Sequence, residues 1–496
     1  MKTTTKLILS VCIGLLTFSA GHAQPPFLVQ APDSFATPVL IIIPDKTVDW
    51  RTLDTGTTVK ANFYYVMNNT GTVQSIVSNN QLIPEHVKVS GKLHVRGDAT
   101  SQDPKKQFEV SLHKKTKGSH FLGMEDGGKH WVFNDCGAVD VTLMRNVLTF
   151  ITQNGMGQYA PAWKWFEVFF CADTSSITNM AEILNNHYRG VYLLFDKIRF
   201  EKHRVSGKYH KKDPGASDAI IQINQAAREK YYPLSWHVAP ASPAEVYEPK
   251  LDDLGDTSSV YTEIDNWYSE WGKRSDVIYR NYVLNSDTGV PDSLLRKLRT
   301  WSDYQSFATY FLINELAKDQ DGYHKSTFMV KRDTVCYAGP LWDKNKSYGN
   351  LFNNPDSTSF YNTPSGWLYK DGTKTKNPDA NQSPQWWSAM LLDPVFCDTV
   401  WSQWSRYKTT LLDTNSMNSF IDEQVRYLSI PTSTAKNLES ALLRNNACWQ
   451  NGSNLTLAKY NQQVSELKNY LAARILWMDT ALPRLLKKSG FSVPPH

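Results

Sequence analysis

The residues of this chain best placed to do chemistry are two acids, each followed closely by polar residues. Gly339 to Asn350 reads GPLWDKNKSYGN: an acid after an apolar run, then a basic and polar stretch, then a glycine. A carboxylate at the end of a strand can hold Mg²⁺ on a nucleotide phosphate, and Asp343 stands where such a strand would end. Asp-x-Asn-x-x-x-x-Gly is also ordinary turn chemistry, so Asp343 can equally open a turn. Upstream, DQDGYHK supplies a second acid, Asp321, whose plainer reading is an Asp-Gly turn.

The elements around these acids give them an order. Tyr304, Phe307, Ala308, Phe311, Leu312 and Leu316 form one apolar stripe, predicting a helix from Asp303 that ends near Lys318. After DQDGYHK come two short strands, STFMVK and TVCYAG, and then Leu341-Trp342-Asp343. Helix, acidic loop, hairpin, acid is the order in the C-terminal lobe of a protein kinase, where the loop carries the catalytic Asp and the later acid holds Mg²⁺. Phosphoryl transfer needs both, one carboxylate to orient the attacking hydroxyl and another to fix the metal on the phosphates. On this order Asp321 is the catalytic candidate and Asp343 the metal ligand.

The N-terminal half offers a matching cation. VLIII, VKANFYYVM and KKQFEVSLH read as strands, the last with Phe108, Val110 and Leu112 on one face. The same parity turns Lys106 inward, where it could reach a phosphate, and turns Lys105 away. Asp196, inward on YLLFDKI, could hold that lysine by an ion pair. Lys106 also reads as a snorkelling edge lysine. Val139 to Gln153 is expected to be a helix carrying Arg145, which reads as a solvated or salt-bridged arginine or a further nucleotide contact. Trp165 to Cys171 and Gly190 to Ile198 are strands again, 205–300 is more polar, and the chain from 386 onward is mostly helical, including Asn461 to Leu482. Trp386-Trp387 reads as core, and Arg96-Gly97-Asp98 as a chance match to an adhesion tripeptide. There is no GxxxxGK[ST] and no GxGxxG, so a conventional nucleotide-binding loop is excluded.

Five segments in order resemble the CotH-type kinases, the atypical kinases first associated with spore coat protein H. They are HVRGDATSQDPKKQFEVSL, KHWVFNDCGAVDVTLMRN, HYRGVYLLFDKI, FLINELAKDQDGYHKSTFMVK and GPLWDKNKSYGN, between about 90 and 350. WWSAMLLDPVF and RNNACW resemble the C-terminal part of exported members from Bacteroidetes-like bacteria. The resemblance implies an α+β, atypical protein-kinase-like fold of two lobes, sheet-rich then helix-rich, transferring phosphate from ATP, with Mg²⁺ or Mn²⁺, to protein Ser/Thr hydroxyls. Lys106, Asp196 and Arg145 would then serve the nucleotide, Asp321 catalysis, and Asp343, Asn345 and Ser326 the metal. Several positions depart from the family pattern. Ser326 stands where a metal-binding Asn is expected, Asn345 where a second acid is usual, Asp196 in place of Glu and Asp98 in place of Asn. Neutral Asn345 and Ser326 take negative charge from a divalent-ion site and predict weaker metal binding.

Composition bounds the rest. Lys2 and Lys6, the apolar run Leu7 to Phe18 and Gly21-His22-Ala23 read as an export signal over 1–23, giving a periplasmic, cell-surface or extracellular protein. Expected divisions are a sheet-rich lobe over 24–204, a connecting or insertion region over 205–300 and a helical lobe over 301–496. Aromatic content of 12% argues against disorder, and a net charge of +5 is too small to argue for nucleic acid. After the signal, no stretch approaches the ~20 apolar residues of a membrane span. The expected partner is an exported or surface protein substrate or ligand. Once Cys12 leaves with the signal, five widely spaced cysteines remain without a metal pattern, free or paired. Three readings follow: an exported kinase, a kinase-like scaffold that binds a surface protein or glycan without catalysis, and carbohydrate hydrolysis by paired carboxylates.

Overall fold

The alternating segments near the N-terminus close into a barrel. A computed structural model describes residues 29–494 except 69–70, 79–80, 83–86, 98–100, 102, 114–120, 125–127, 136–138, 175–179, 211, 225–227, 229, 237–242, 255–258, 351–359, 371–382, 437 and 450–456. Its barrel strands are β1 (Val39–Pro44), β2 (Thr58–Val66), β3 (Val87–Arg96), β4 (Gln107–Leu112), β5 (His130–Asn134), β6 (Trp163–Phe170) and β7 (Tyr188–Asp196). They run β6-β7-β5-β4-β3-β2-β1 around the barrel, and β1 closes it by pairing parallel with β6. Closure leaves no unpaired edge.

Alternation sends Leu93, Val95, Phe108, Val110, Trp131 and Phe133 into the barrel interior. The opposite face of β3 and β4 therefore carries His94, Arg96, Gln107 and Glu109, with His94 opposite Glu109 and Arg96 opposite Gln107. The closed barrel is a feature that the sequence pattern does not disclose, since alternation predicts strands but not their closure.

A second sheet has the order β9-β10-β8-β11-β12, from β8 (Ala219–Ile223), β9 (Tyr232–Pro233), β10 (Ala244–Glu248), β11 (Thr327–Arg332) and β12 (Val335–Ala338). The polar stretch 205–300 thus does more than connect, because its β8 is the central strand and pairs Ile221 with Met329 of the expected hairpin. Its strands are short and fully buried, AIIQI and AEVYE, and the polar turns around them dominate the composition.

The larger helices are α1 (Arg145–Gly155), α2 (Ser259–Ile278), α3 (Tyr304–Ala317), α4 (Pro394–Tyr407), α5 (Thr414–Leu428), α6 (Ala441–Trp449) and α7 (Leu457–Leu486). Sheets and helices together make an α+β protein. Helix α1 begins at Arg145 rather than Val139. The Asp140 carboxylate takes the backbone N–H groups of Thr142 (3.1 Å) and Arg145 (2.8 Å), and Leu143 lies at φ 65°, so the chain turns before it can wind. In α3, Asp303 caps the N-terminus by accepting from Ser306 N at 2.7 Å, and Lys318 ends the helix in the left-handed region. The expected stripe on α3 is only part of its apolar surface, for the helix is buried on nearly every side.

Trp386 and Trp387 are core, each 1% exposed. Cys171, Cys336, Cys397 and Cys448 are free and buried, whereas Cys12, Cys136, Asp98 and the expected signal 1–23 lie outside the described residues. Among the described residues no helix is long and apolar enough to cross a membrane.

Candidate functional site

The segment after α3 is built to present Asp321. Asp319, fully buried, accepts the backbone N–H of Asp321 at 2.7 Å, and Asp321 O accepts Lys325 N at 3.0 Å. Tyr323 and Ser326 take φ of 71° and 50°, a conformation that costs L-residues energy and collects at functional sites. Tyr323 OH reaches Glu315 on α3 at 3.1 Å, which ties the loop to a buried helix.

Asp343 is held just as deliberately. It follows Gly339 (φ 105°) and itself lies at φ 57°. Three residues of α1 clamp its neighbours. Gln153 accepts Leu341 N at 2.9 Å, Asn146 accepts Lys344 N at 2.6 Å, and Arg145 donates to Ser347 O at 2.8 Å. Asn350 closes the turn by donating to Asn345 O at 2.7 Å.

These two segments meet in a cavity of about 340 Å³, lined by Asp321, Ser326, Asp343 and Asn345 together with Trp342 and Phe328. Its other walls come from the outward faces of β3 and β4 (His94, Arg96, Gln107, Glu109), from Lys197 just past β7, and from Gln222, Asn224, Arg228, Lys230, Tyr231 and Tyr247 around the second sheet. Among the described residues, six cations (Arg96, Lys197, Arg228, Lys230, Lys325, Lys346) face three carboxylates (Glu109, Asp321, Asp343), a balance that favours anions.

Of the residues expected at a site, the cavity gathers Asp321, Ser326, Asp343 and Asn345. The other three lie elsewhere. Lys106 Nζ donates to Ser101 O at 2.8 Å and lines no part of the cavity. Strand β4 starts only at Gln107, after Pro104, so the parity argument does not extend back to the two lysines. Lys105, expected to point away, is 2% exposed and reaches Asn445 on α6 at 2.9 Å. Asp196 pairs with Arg204 at 3.3 Å and accepts Ala162 N at 3.2 Å, and it lines no part of the cavity. Arg145 is 3% exposed and pairs with Asp140 at 2.5 Å; it positions the Asp343 turn rather than touching the cavity.

Sequence reasoning missed the pair that does stand in the cavity, Glu109 with Lys197. Their contact is short, and His94 Nε2 adds a second positive neighbour to Glu109 at 3.7 Å when protonated. Burial alone would raise the Glu109 carboxyl, but Lys197 and His94 outweigh it and hold it well below the usual carboxylate range. Burial also lowers Lys197; we take both groups as ionised, since each is the other's compensation in a dry wall. The signal lay within three residues of the expected ones, in the same two segments. The polar face of QFEVSL carries Glu109, and the DKI triplet carries Lys197 next to Asp196.

The remaining charges tune the acids. Lys346 Nζ is 3.3 Å from Asp321 Oδ2. Burial would lower that ammonium, but Asp321, Asp343 and Asp319 more than offset it and keep it charged. Lys344 is fully buried and not in the cavity wall; burial would lower its ammonium too, but Asp319, with Asp321 and Asp343 adding, more than offsets it. Burial pushes Asp319 up to about 6 against the pull of Lys344, with Asp321 and Asp343 adding to the rise.

Asp135, just past β5, is pushed up to about 7 by burial, helped by the charges of Asp103 and Asp343 and opposed by Lys105. One of its oxygens has no hydrogen-bond partner among the described residues. An acid whose folded pKa exceeds its unfolded value destabilises increasingly as pH rises from the unfolded to the folded pKa, here from about 4 to about 7. Asp135→Asn should therefore be more stable than the parent at pH 8, by on the order of 2–4 kcal/mol. The gain should shrink toward nothing below pH 4. Thermal midpoints across pH 4 to 8 test this, and a difference that does not change with pH would refute it.

Side chains of Asp343, Asn345 and Ser326 make no hydrogen bond to other described residues, so their oxygens remain available in the cavity. Among the described residues no group of three or more His, Cys, Asp or Glu side chains could hold a metal. A carboxylate, an amide and a hydroxyl are nonetheless the oxygen donors a hard divalent ion takes, so this set fits Mg²⁺ or Mn²⁺ with water and phosphate completing the shell. No curated protein gives a significant match to the chain. The family model described as CotH kinase protein matches residues 93–478, a span that includes both acidic segments, the Glu109–Lys197 wall and most of the helices, and the chain belongs to that family.

Proposed function

We propose that this protein is an exported kinase that transfers the γ-phosphate of ATP, with Mg²⁺ or Mn²⁺, to Ser/Thr hydroxyls of an exported or surface protein, the barrel and the helical part acting as two lobes around the cleft. The observation that carries the reading is the joining of Asp321 and Asp343, from two separately strained turns, in a cavity with an excess of cations. Asp343, Asn345 and Ser326 would hold the divalent ion, which when bound supplies charge neutralisation at the phosphate oxygens. Lys197, fixed by Glu109, and Arg228, fixed by Glu245, present positive charge to the phosphates from the cavity wall. Asp321 accepts the proton of the attacking hydroxyl, and Lys346 holds that carboxylate in place.

A second reading, a scaffold that binds ligand without transfer, draws support from neutral Asn345 and from the engagement of Asp321 by Lys346. One measurement separates the two. The thermal midpoint should rise with ATP plus Mg²⁺ or Mn²⁺, by the equivalent of about 2.7 kcal/mol at one hundred times the dissociation constant. Asp343→Ala should lose the rise. If the parent does not shift with any nucleotide and metal combination, the kinase reading fails and the scaffold reading stands.

A further inference from the structure

The order of helix, acidic loop, hairpin and acid does not require a lysine in the cleft beside Asp321, yet Lys346 is there. Its side chain is 25% exposed and that of Asp321 21%, with Nζ and Oδ2 3.3 Å apart, and both line the cavity that Asp343 and Asn345 line. Asn345 is only 8% exposed, and its side chain is not hydrogen-bonded to other described residues. A buried polar group aimed into the cavity and left without a protein partner points to a ligand there. Lys344 adds positive charge near the same acids from outside the cavity wall, where it meets no ligand, so Lys346 is the ammonium that the cavity presents.

Charge decides how many ions this end of the cavity can hold. Two divalent ions side by side need several carboxylates to offset their mutual repulsion, and among the described residues Asp321 and Asp343 are the two acids that line this end, Asp319 being buried outside the wall and Asn345 giving oxygen without charge. One of the two acids already meets an ammonium. We infer that Lys346 takes the place of a second divalent cation at Asp321, so that the site holds one divalent ion, on Asp343, Asn345 and Ser326, with the Lys346 ammonium as a fixed second positive charge. An ammonium has three donors, and with one on Asp321 it can offer the others to a phosphate oxygen. The inference rests on the proposed kinase reading for the identity of the ion and its phosphate partner.

The test uses Mn²⁺ alone, titrated into the purified chain at low salt and counted by electron paramagnetic resonance. The parent should bind one Mn²⁺, and Asp343→Ala none. Lys346→Glu, which replaces the cation with an acid, should bind two. Lys346→Met should keep one and bind it about tenfold more tightly, because a like charge has left the site. Two ions or none in the parent, binding that survives Asp343→Ala, one ion in Lys346→Glu, or unchanged affinity in Lys346→Met would each overturn the inference. A chain that counts Mn²⁺ as expected but shows no thermal shift with ATP keeps the single-ion site and loses the kinase reading. A chain that shifts with ATP but binds two Mn²⁺ keeps the kinase reading and loses Lys346 as a substitute cation.

Discussion

Asp321→Asn should reduce transfer of radiolabelled γ-phosphate from ATP to a Ser-rich acceptor protein by about 10²–10⁴-fold, the range a positioned general base supplies. Nucleotide binding should survive, because the substitution keeps the size of the side chain and leaves the Asp343, Asn345 and Ser326 oxygens untouched. The loop itself is held by groups the substitution does not alter. Asp321 N stays on Asp319 Oδ1, Lys325 N on Asp321 O, and Tyr323 OH on Glu315. The comparison with Asp343→Ala is therefore informative: one variant should lose transfer and keep the nucleotide-dependent thermal shift, the other should lose both. Equal transfer by the parent and Asp321→Asn would remove Asp321 from catalysis.

How far the sequence disclosed this site depends on which contacts are local. Asp321 and Asp343 could be found because the elements between them are consecutive. An apolar helix stripe, an acidic loop and a two-strand hairpin fix the order of their chemistry within forty or so residues, and β11 and β12 formed where alternation placed them. The cation was misplaced because its position is a matter of sheet closure. Whether the cleft meets the apolar or the polar face of β4 depends on the barrel turning Phe108 and Val110 inside. That choice leaves Glu109 outside and makes Lys197, contributed by a segment nearly ninety residues later, its partner.

Arg145 is salt-bridged, to Asp140, as one of its readings has it, but its hold on the Asp343 turn escapes the sequence for a related reason. Its partner Ser347 is distant in sequence, and only packing shows that the TLMRN segment exists to hold the Asp343 turn through Arg145 and Asn146. The central strand β8 stayed hidden in a polar region because five buried residues weigh little against the turns around them.

The same distant packing sets the second large effect, at Arg474. Substituting Met for it should destabilise the protein by about 3–5 kcal/mol, the cost of leaving one half of a buried ion pair behind. Arg474 on α7 and Glu315 on α3 are both fully buried. The guanidinium donates to Glu315 O at 2.8 Å, to Pro364 O and Gly366 O at 2.7 Å each, and to Glu315 Oε2 at 3.3 Å. Glu315 in turn accepts Leu368 N at 2.7 Å, Tyr369 N at 2.8 Å and Tyr323 OH at 3.1 Å.

Burial already raises the Glu315 carboxyl against the pull of Arg474 and those donors, so without the arginine it rises further. Raising a folded-state acid pKa adds a penalty that grows as pH climbs from the unfolded pKa through the folded one. The loss in Arg474→Met should consequently be smaller at pH 5 than at pH 8, as Glu315 takes up a proton and buries as a neutral acid. Denaturant unfolding at the two pH values measures both the size and the slope. A loss under about 1 kcal/mol at both would show the pair contributes no more than an exposed salt bridge. Because Glu315 also holds Tyr323 two residues from Asp321, the variant should lose phosphate transfer at temperatures where most of it is still folded, which links the stability of the α3–α7 contact to the geometry of the acidic loop.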